Sequence, residues 1–424
     1  MPNAFNKEER VAFEQLLEGF QDALVLSRNV NIYKTDQAMM ERAGDVIWRP
    51  MPYIMQSFAG TDMTANFRDA TQLSVPATIG HGRSAPWTMT ATELRDAIQE
   101  GRLGDAAKQK LASDINVAVV DVATLQGTLV VPSTTAAAGF ADVALCEAVM
   151  NEQGVPNWDR YIAFSTRDYN GLAADLAGRQ YPDGRGKTAY QKAYVGPIAS
   201  FETFKLDYTR RLPLAAGGGA LVINTLAAGG NTYVPRATRV ATTGERTNVD
   251  NRFQQVTIAG VQAAGVVAGD CFTIATCQSV HQITKQATGV LKSFRVISID
   301  GANLATISPP LISGLGLTDA ELQYKNCEVV TPAANSAIVF TNTATAPMNP
   351  FWQKDAIEIL PGRYAVPSDA GADVMRGTTD QGIELVLQKQ YDINTMLTKY
   401  RVDTLYGVVC KQPEMAGIRL FSQP

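Results

Sequence analysis

Thr92–Gln126, TELRDAIQEGRLGDAAKQKLASDINVAVVDVATLQ, is the longest segment of the chain that reads as a single helix. Leu94, Ile98, Leu111, Ile115, Ala118, Val122 and Leu125 recur every three or four residues, with Lys108, Lys110, Asp114 and Asp121 between them. That is the period of an amphipathic helix. Thr92 is placed to cap its start, with Glu93 and Asp96 in the first turn, and Gly127 stands where a terminating glycine belongs. Gly101 and Gly104 predict a bend or break near the middle. At about 1.5 Å per residue the rod would span roughly 50 Å. A compact enzyme domain has little use for such a rod, whereas a subunit that reaches its neighbours does.

The remainder of the chain is globular in composition. Its 424 residues leave room for two or three domains. A net charge of −4, from 37 basic and 41 acidic residues, excludes a dedicated basic nucleic-acid binder, so any DNA contact is local and non-specific. No apolar run approaches the roughly 20 residues of a membrane span. Lys7, Glu8, Glu9 and Arg10 come without an apolar stretch, so no signal peptide is expected. The five cysteines are scattered and odd in number, and they read as reduced thiols of a cytoplasmic protein.

Upstream of the rod, Lys7 to Leu26 forms a second amphipathic pattern. Phe13, Leu16, Leu17, Phe20 and Leu24 share one face, and Glu14 and Glu18 lie one turn apart on another. That acidic face is either simply solvated or a stripe suited to a basic partner. Val46–Pro50 reads as a strand. Met51–Thr88, punctuated by Gly60, Pro76, Gly80, Gly82 and Pro86, reads as a long exposed hairpin or loop, too long for an ordinary connection and suited to lie on another subunit.

Downstream, a helix is expected from about Ala141 to Gln153, then a strand at Tyr161–Phe164, then a helix capped by Ser165 or Thr166. From Thr225 to Pro347 charged helical patterns vanish. Short strands at Val256–Ile258, Cys271–Ala275, Phe294–Ile299, Leu304–Ile307 and Ala337–Phe340 predict a small β-barrel or sandwich inserted into the first domain. The tail, with strands near Asp355–Leu360, Ile383–Lys389 and Tyr400–Cys410, is expected to share a sheet with the beginning of the chain.

Catalytic constellations are hard to find. His81 lies in Gly80-His81-Gly82-Arg83-Ser84-Ala85-Pro86, where a nucleophile elbow would need glycine in place of Pro86. Cys271, Cys277, His281 and Cys327 suggest a metal site, but the spacing matches no zinc knuckle. Residues six apart share a face of a strand, so the two nearer cysteines read as small core residues. Gly186-Lys187-Thr188 lacks the earlier glycine and strand of a phosphate loop, and Pro182-Asp183-Gly184-Arg185-Gly186 reads as a flexible surface loop. No cofactor and no metal are expected, and no enzymatic activity.

Four blocks carry a resemblance. Thr247-Asn248-Val249-Asp250-Asn251-Arg252-Phe253, followed by Gln255-Val256-Thr257-Ile258, looks like the inserted domain of phage P22-like coat proteins. Asp45-Val46-Ile47-Trp48-Arg49-Pro50, Asn349-Pro350-Phe351-Trp352 before Asp355-Ala356-Ile357, and Tyr406-Gly407 before Pro413-Glu414 agree in order. The long helix resembles that family's spine helix. The resemblance implies an α+β major capsid protein of the HK97 fold with an inserted β-barrel. It divides the chain into an N-terminal arm (1–45), an extended loop with a strand of the peripheral domain (46–90), the spine helix (91–127), the first part of the axial domain (128–224), the inserted barrel (225–347) and a return to the axial and peripheral domains (348–424).

It further implies pentamers and hexamers in an icosahedral shell around double-stranded DNA. Such a shell is first assembled as a procapsid in the bacterial cytoplasm, with scaffolding and portal proteins as partners and no membrane, and then expanded. A loop at Ala241–Asn251 would reach a neighbouring capsomer, with Glu245, Arg246, Asp250 and Arg252 as candidates for contacts between capsomers. Glu14 and Glu18 are the candidates for contact with a basic scaffold hairpin. Met51–Thr88 contains no lysine, so this loop lacks the lysine by which some members of the wider fold cross-link. A nanocompartment shell protein of the same fold, encapsulin-like, is the nearer alternative, and an α/β hydrolase-type enzyme the more distant one.

Overall fold

The helices are α1 (Lys7–Ala23), α2 (Ala97–Gln126), α3 (Phe140–Glu152), α4 (Thr166–Gly178) and α5 (Arg185–Lys192). The structure, a computed structural model, describes all residues except 1–6, 34–45, 53, 56, 65–66, 68–70, 91, 94–96, 179–184, 217–220, 225–230, 316, 318–320, 331–334 and 366–372, and except the side chains of 7–9, 97–102, 185–186, 188 and 224. The chain forms two compact units, one of residues 1–47, 76–120 and 357–409, the other of 48–75, 121–356 and 410–424. α2 has residues in both.

α2 runs 30 residues without a break, so Gly101 and Gly104 do not interrupt it. A Cβ at Gly104 would make an ordinary contact, 3.4 Å from Leu16 Cδ1 of α1, and one at Gly19 would displace only the flexible end of Lys108, whose Nζ lies 2.5 Å away. The glycines mark where α1 crosses α2. The buried row of α2 is Leu111, Ala112, Ile115, Val119, Val120 and Ala123. Ala118 and Val122 are half-buried and Leu125 is exposed. The sequence pattern favoured the bulkier residues at each step. The fold instead buries an i, i+4 row whose small members, Ala112 and Ala123, let packed backbones approach.

The start of this helix, expected to be capped at Thr92, passes through residues 94–96, outside the described residues; ahead of it Thr90 Oγ1 accepts from the Glu93 N–H (3.3 Å) and Glu93 Oε2 from the Thr90 N–H (2.8 Å). That is a reciprocal capping pair with Thr-x-x-Glu spacing. At the other end Gly127 is not in the left-handed conformation. It must be glycine because a Cβ would meet the Ala123 carbonyl oxygen at 2.6 Å and the Ala416 backbone at 2.9 Å.

In the first unit, Leu397–Cys410 is the centre of a six-stranded sheet. Glu384–Asp392 and His81–Thr90 flank it in antiparallel register, the latter pairing along its whole length from Leu397↔Thr90 to Tyr406↔His81. Asn31–Ile32 pairs in parallel with Ile357–Pro361, which joins the beginning of the chain to its tail. Within the segment expected to be a hairpin or loop, Ser74–Thr78 and His81–Thr90 are strands, the first paired with Val46–Pro50.

The second unit contains a five-stranded mixed sheet in the order Leu129–Pro132, Ala416–Leu420, Asn349–Gln353, Arg160–Ser165, Phe201–Leu206. Its strands come from both sides of the barrel in sequence. α3 and α4 pack Val143, Cys146, Met150, Tyr169 and Leu172 onto Ile162, Phe164, Phe201 and Phe351. Ser165 caps α4, its Oγ accepting from the Asp168 N–H at 3.2 Å. Arg185 and Gly186, the end of the surface loop expected at 182–186, lie in α5, and residues 182–184 of that loop are outside the described residues.

The barrel follows the strand order Gln254–Thr257, Leu304–Ser308, Ala287–Gly301, Cys271–Val280, Asn335–Phe340, Val222–Asn224. A bridge from Ile223 to Ile258 closes it. Val222–Asn224 precedes the expected boundary at Thr225, because that strand pairs with Asn335–Ala337. Phe272, Ile274, Phe294, Val296, Ile307 and Ile338 fill the interior. A register shift between Thr273 and Gln278 interrupts alternation along Cys271–Val280. Cys271 and Cys277 therefore do not share a face. Cys271 packs with Leu212, Met348 and Ile418, and Cys277 lies inside the barrel.

Candidate assembly surfaces

The segment bearing Glu245 and Arg246 is a hairpin that leaves the barrel. Thr238–Val240 pairs with Arg246–Asn248, and the turn closes through the Ala241 N–H to the Glu245 carbonyl (2.8 Å), with Gly244 at φ +85°. Every residue of the two strands is exposed, Glu245 and Arg246 included. Two strands alone are marginal in water, so something must hold the base. Asn251 does. Its Oδ1 accepts from the Tyr233 hydroxyl and the Arg236 N–H, both at 3.0 Å, and its Nδ2 donates to the Arg236 and Val249 carbonyls at 2.9 and 3.1 Å. The sequence reading quoted Asn251 only as part of a block; its use of both ends of the amide depends on chain segments that spacing does not reveal.

Asp250 and Arg252 are placed differently from Glu245 and Arg246. Arg252 Nη2 meets Asp250 Oδ2 at 2.7 Å, its Nη1 donates to the Cys410 carbonyl at 2.9 Å, and it is 8% exposed. The two residues are partners of each other at the hairpin base.

α1 turns Phe13 and Phe20 inward, with Leu24 buried just beyond its end, and leaves Glu14 and Glu18 exposed. Phe13 and Leu17 pack onto the strand Asp373–Thr378 beside Gly377, where a Cβ would meet Leu17 Cδ2 at 2.8 Å. At its root the connection at 51–73 is held by the Met51 N–H to the Leu73 carbonyl (2.9 Å) and by Tyr324 and Gln323 donating to the Thr71 carbonyl. Farther out, Met55 is 71% and Phe67 86% exposed. Large apolar side chains in open solvent suit a surface that another chain covers. The sequence reading identified this loop as a contact arm without identifying these anchors.

Three buried cations join the barrel to the rest of its unit. Lys292 forms an ion pair with Glu414 and donates to the Asn326 carbonyl at 3.0 Å. Arg295, fully buried, donates to the Thr124 and Gly127 carbonyls, the latter at 3.1 Å. These are end groups of α2, so a barrel residue caps the long helix, a place where positive charge is favourable. Arg252 is the third. Asp270, near Arg295, has its carboxyl pushed up by burial, although the Val267 N–H, Asn342 and Arg295 oppose this.

No catalytic grouping emerges among the described residues. His81 is stacked on Tyr406 at 5.5 Å, and His281 Nδ1 accepts from the Ile283 and Thr284 N–H groups. A groove of about 530 Å³ on the six-stranded sheet is lined by Trp87, Lys389, Tyr400, Arg401 and neighbours, without a carboxylate, histidine or thiol.

With the surfaces in place, comparison with known proteins gives the family. A family model described as "P22 coat protein - gene protein 5" matches residues 1–422. The chain belongs to the P22 coat protein family. It is a phage major capsid protein. Solved structures similar to this coat protein include that of Mycobacterium phage Che8, at 10% identity over 93% of this chain and 90% of that one, with a TM-score of 0.43. The head structure of Helicobacter pylori bacteriophage KHP40 is similar at 10% identity, covering 94% and 88%, with a TM-score of 0.41. The CUS-3 coat protein I-domain is 33% identical over 29% of this chain and 96% of its own, with a TM-score of 0.22. The assignment rests on the family match.

Proposed function

We propose that this coat protein tiles pentamers and hexamers into an icosahedral shell that encloses double-stranded DNA. The shell is built in the host cytoplasm as a procapsid on a separate scaffolding protein, with a portal at one vertex, and is then expanded into the virion capsid. The observation that carries this reading is the family match from residue 1 to 422. Residues 46–90 act as the extended loop, 91–127 as the spine, 128–224 with part of 348–424 as the axial domain, and the barrel, from Val222, as the inserted domain. Met55 and Phe67 support the loop's role, because burial of each on a neighbour would contribute about 1.5–3 kcal/mol, repeated at every copy. The exposed hairpin with Glu245 and Arg246 reaches a neighbouring capsomer, where its charges fix register more than affinity. Glu14 and Glu18 receive a basic segment of the scaffold through weak, salt-sensitive contact.

Electron microscopy of the protein expressed with and without its scaffolding protein tests the reading. Closed shells of uniform size with scaffold, and irregular or no shells without it, are expected. Monomers under both conditions would overturn it. Uniform empty shells assembled without any scaffold would favour the nanocompartment alternative.

A further inference from the structure

α5 is where the chain gathers cations and tyrosines without acids. Residues 185–201 hold Arg185, Lys187 and Lys192 and no aspartate or glutamate, although the whole chain is net negative at −4. The helix lies on its small side chains: Ala189 is buried, and Ala193 packs against the core of the mixed sheet. Lys187, Tyr190 and Lys192 are exposed, Tyr190 by 83%, and Tyr194, just past the helix, by 58%. Tyr169 of α4 fixes the end of this strip, its hydroxyl accepting from the Val195 N–H at 3.0 Å. Lys205, also exposed, sets its Nζ 5.9 Å from the centre of the same ring. The neighbouring acids do not answer these charges. Asp168 accepts from Ser165 and Asn349, at 2.7 and 2.9 Å, and Asp175 lies against Gly139. Thr203, on the strand Phe201–Leu206, donates to the Gly196 carbonyl at 2.7 Å, so Glu202 next to it points to the opposite face of the sheet. Lys187 and Lys192 have no ion-pair partner among the described residues.

We propose that Lys187, Tyr190, Lys192, Tyr194 and Lys205 form the surface by which the coat protein holds packaged double-stranded DNA through its phosphates. Such a surface deepens the reading of a genome-filled shell and rests on it. The ammonium groups pair with phosphate oxygens and displace counterions from the duplex. The tyrosine hydroxyls donate to phosphate and sugar oxygens, contacts that position a duplex without reading its sequence. The basic scaffold segment assigned to Glu14 and Glu18 would be repelled here by like charge, whereas DNA has the opposite sign. No single copy needs high affinity, because a shell presents the strip many times to one continuous polyanion. α5 then belongs on the inner wall of the shell.

The test measures binding of the purified full-length coat protein to a fluorescent random-sequence duplex over a salt series, beside electron microscopy of shells assembled from the same protein. Lys187→Glu with Lys192→Glu should weaken binding at least about tenfold at about 0.1 M salt and flatten the dependence of log affinity on log salt by about 2. Tyr190→Phe with Tyr194→Phe should weaken it less and leave that slope unchanged. Lys110→Glu with Lys399→Glu, exposed lysines elsewhere in the chain, makes the same change in net charge and should leave duplex affinity near that of the unaltered protein. Unchanged affinity and slope in Lys187→Glu with Lys192→Glu, or an equal loss in the control, would overturn the proposal. So would loss of shells with duplex affinity intact, which would make α5 a contact between copies. Shells that form normally while duplex binding is unaffected strike this surface alone; an unaltered protein that forms no shells with its scaffold strikes the proposed function itself.

Discussion

Arg295→Met tests whether the barrel stabilises the end of the long helix. Methionine keeps most of the stem volume but removes the guanidinium. Two carbonyls, of Thr124 and Gly127, then lose a charged donor. Each such bond contributes about 1.5–3 kcal/mol, a gross loss of about 3–6 kcal/mol. Against this, methionine avoids the desolvation of a fully buried cation whose Nε finds no hydrogen-bond partner among the described residues, and Asp270 loses one favourable charge. Desolvation of a buried ion amounts to several kcal/mol, but the cation remains hydrogen-bonded, so we expect a net destabilisation of about 2–3 kcal/mol. That is a substantial share of the roughly 5–15 kcal/mol of a typical domain. Urea unfolding followed by circular dichroism measures the size, and amide hydrogen exchange measures the place. Protection of residues 121–126 should fall in Arg295→Met and fall less in Arg295→Lys, which keeps the charge but not the fork. An unchanged unfolding midpoint, or full protection of that last turn in Arg295→Met, would refute the capping argument.

Burial pushes Lys285 down to about 8 from 10.5, with Glu414 opposing and Lys292 and Lys325 reinforcing the shift. Between those two values the unfolded chain holds more protons than the folded one, so stability contributed by this group rises with pH across that window. Lys285→Met should flatten the rise and add about 1–2 kcal/mol at pH 7, after loss of the bond to the Lys325 carbonyl, as read from urea midpoints at pH 7 and pH 10. Asn251→Ala should cost about 2 kcal/mol by leaving buried partners unpaired, whereas Glu245→Arg with Arg246→Glu should leave monomer stability unchanged and weaken particles in a heat-release assay. Glu14→Lys with Glu18→Lys should cut scaffold incorporation several-fold at low salt; normal incorporation would remove these residues from the contact. Mature particles boiled in detergent should run as single chains on a gel, because the loop at 51–88 has no lysine to cross-link.

The rod, the arm helix and the barrel strands were legible because each is a local period: one row of α2, one face of α1, alternation in Phe294–Ile299. The same locality explains the errors. Counting two residues per face put Cys271 and Cys277 together, and a single bulge between them separated the faces. Weighting bulky residues put Leu125 in the core and left out Ala112 and Ala123. Of the candidate charges, Glu14, Glu18, Glu245 and Arg246 are exposed as a contact requires, while Asp250 and Arg252 are partners of each other.

The contacts that hold the barrel had no such local signature. Arg295 and Thr124 are 171 positions apart, Arg252 and Cys410 158, and Lys292 and Glu414 122. None of these pairs has a spacing that could be scanned for, and in sequence each cation resembles a solvated surface residue. Burial changes what they can do. A lysine or arginine fully withdrawn from water must find acceptors, and the acceptors here are backbone carbonyls and one carboxylate outside the barrel. An inserted domain attached only by its two linkers would swing independently. One whose buried cations terminate on the α2 carbonyls and the Cys410 carbonyl cannot move without leaving those charges unpaired. Force applied at the exposed hairpin is therefore carried through Asn251 and the Asp250–Arg252 pair into the Cys410 carbonyl, so the surface we assign to a neighbouring capsomer stands on a rigid base.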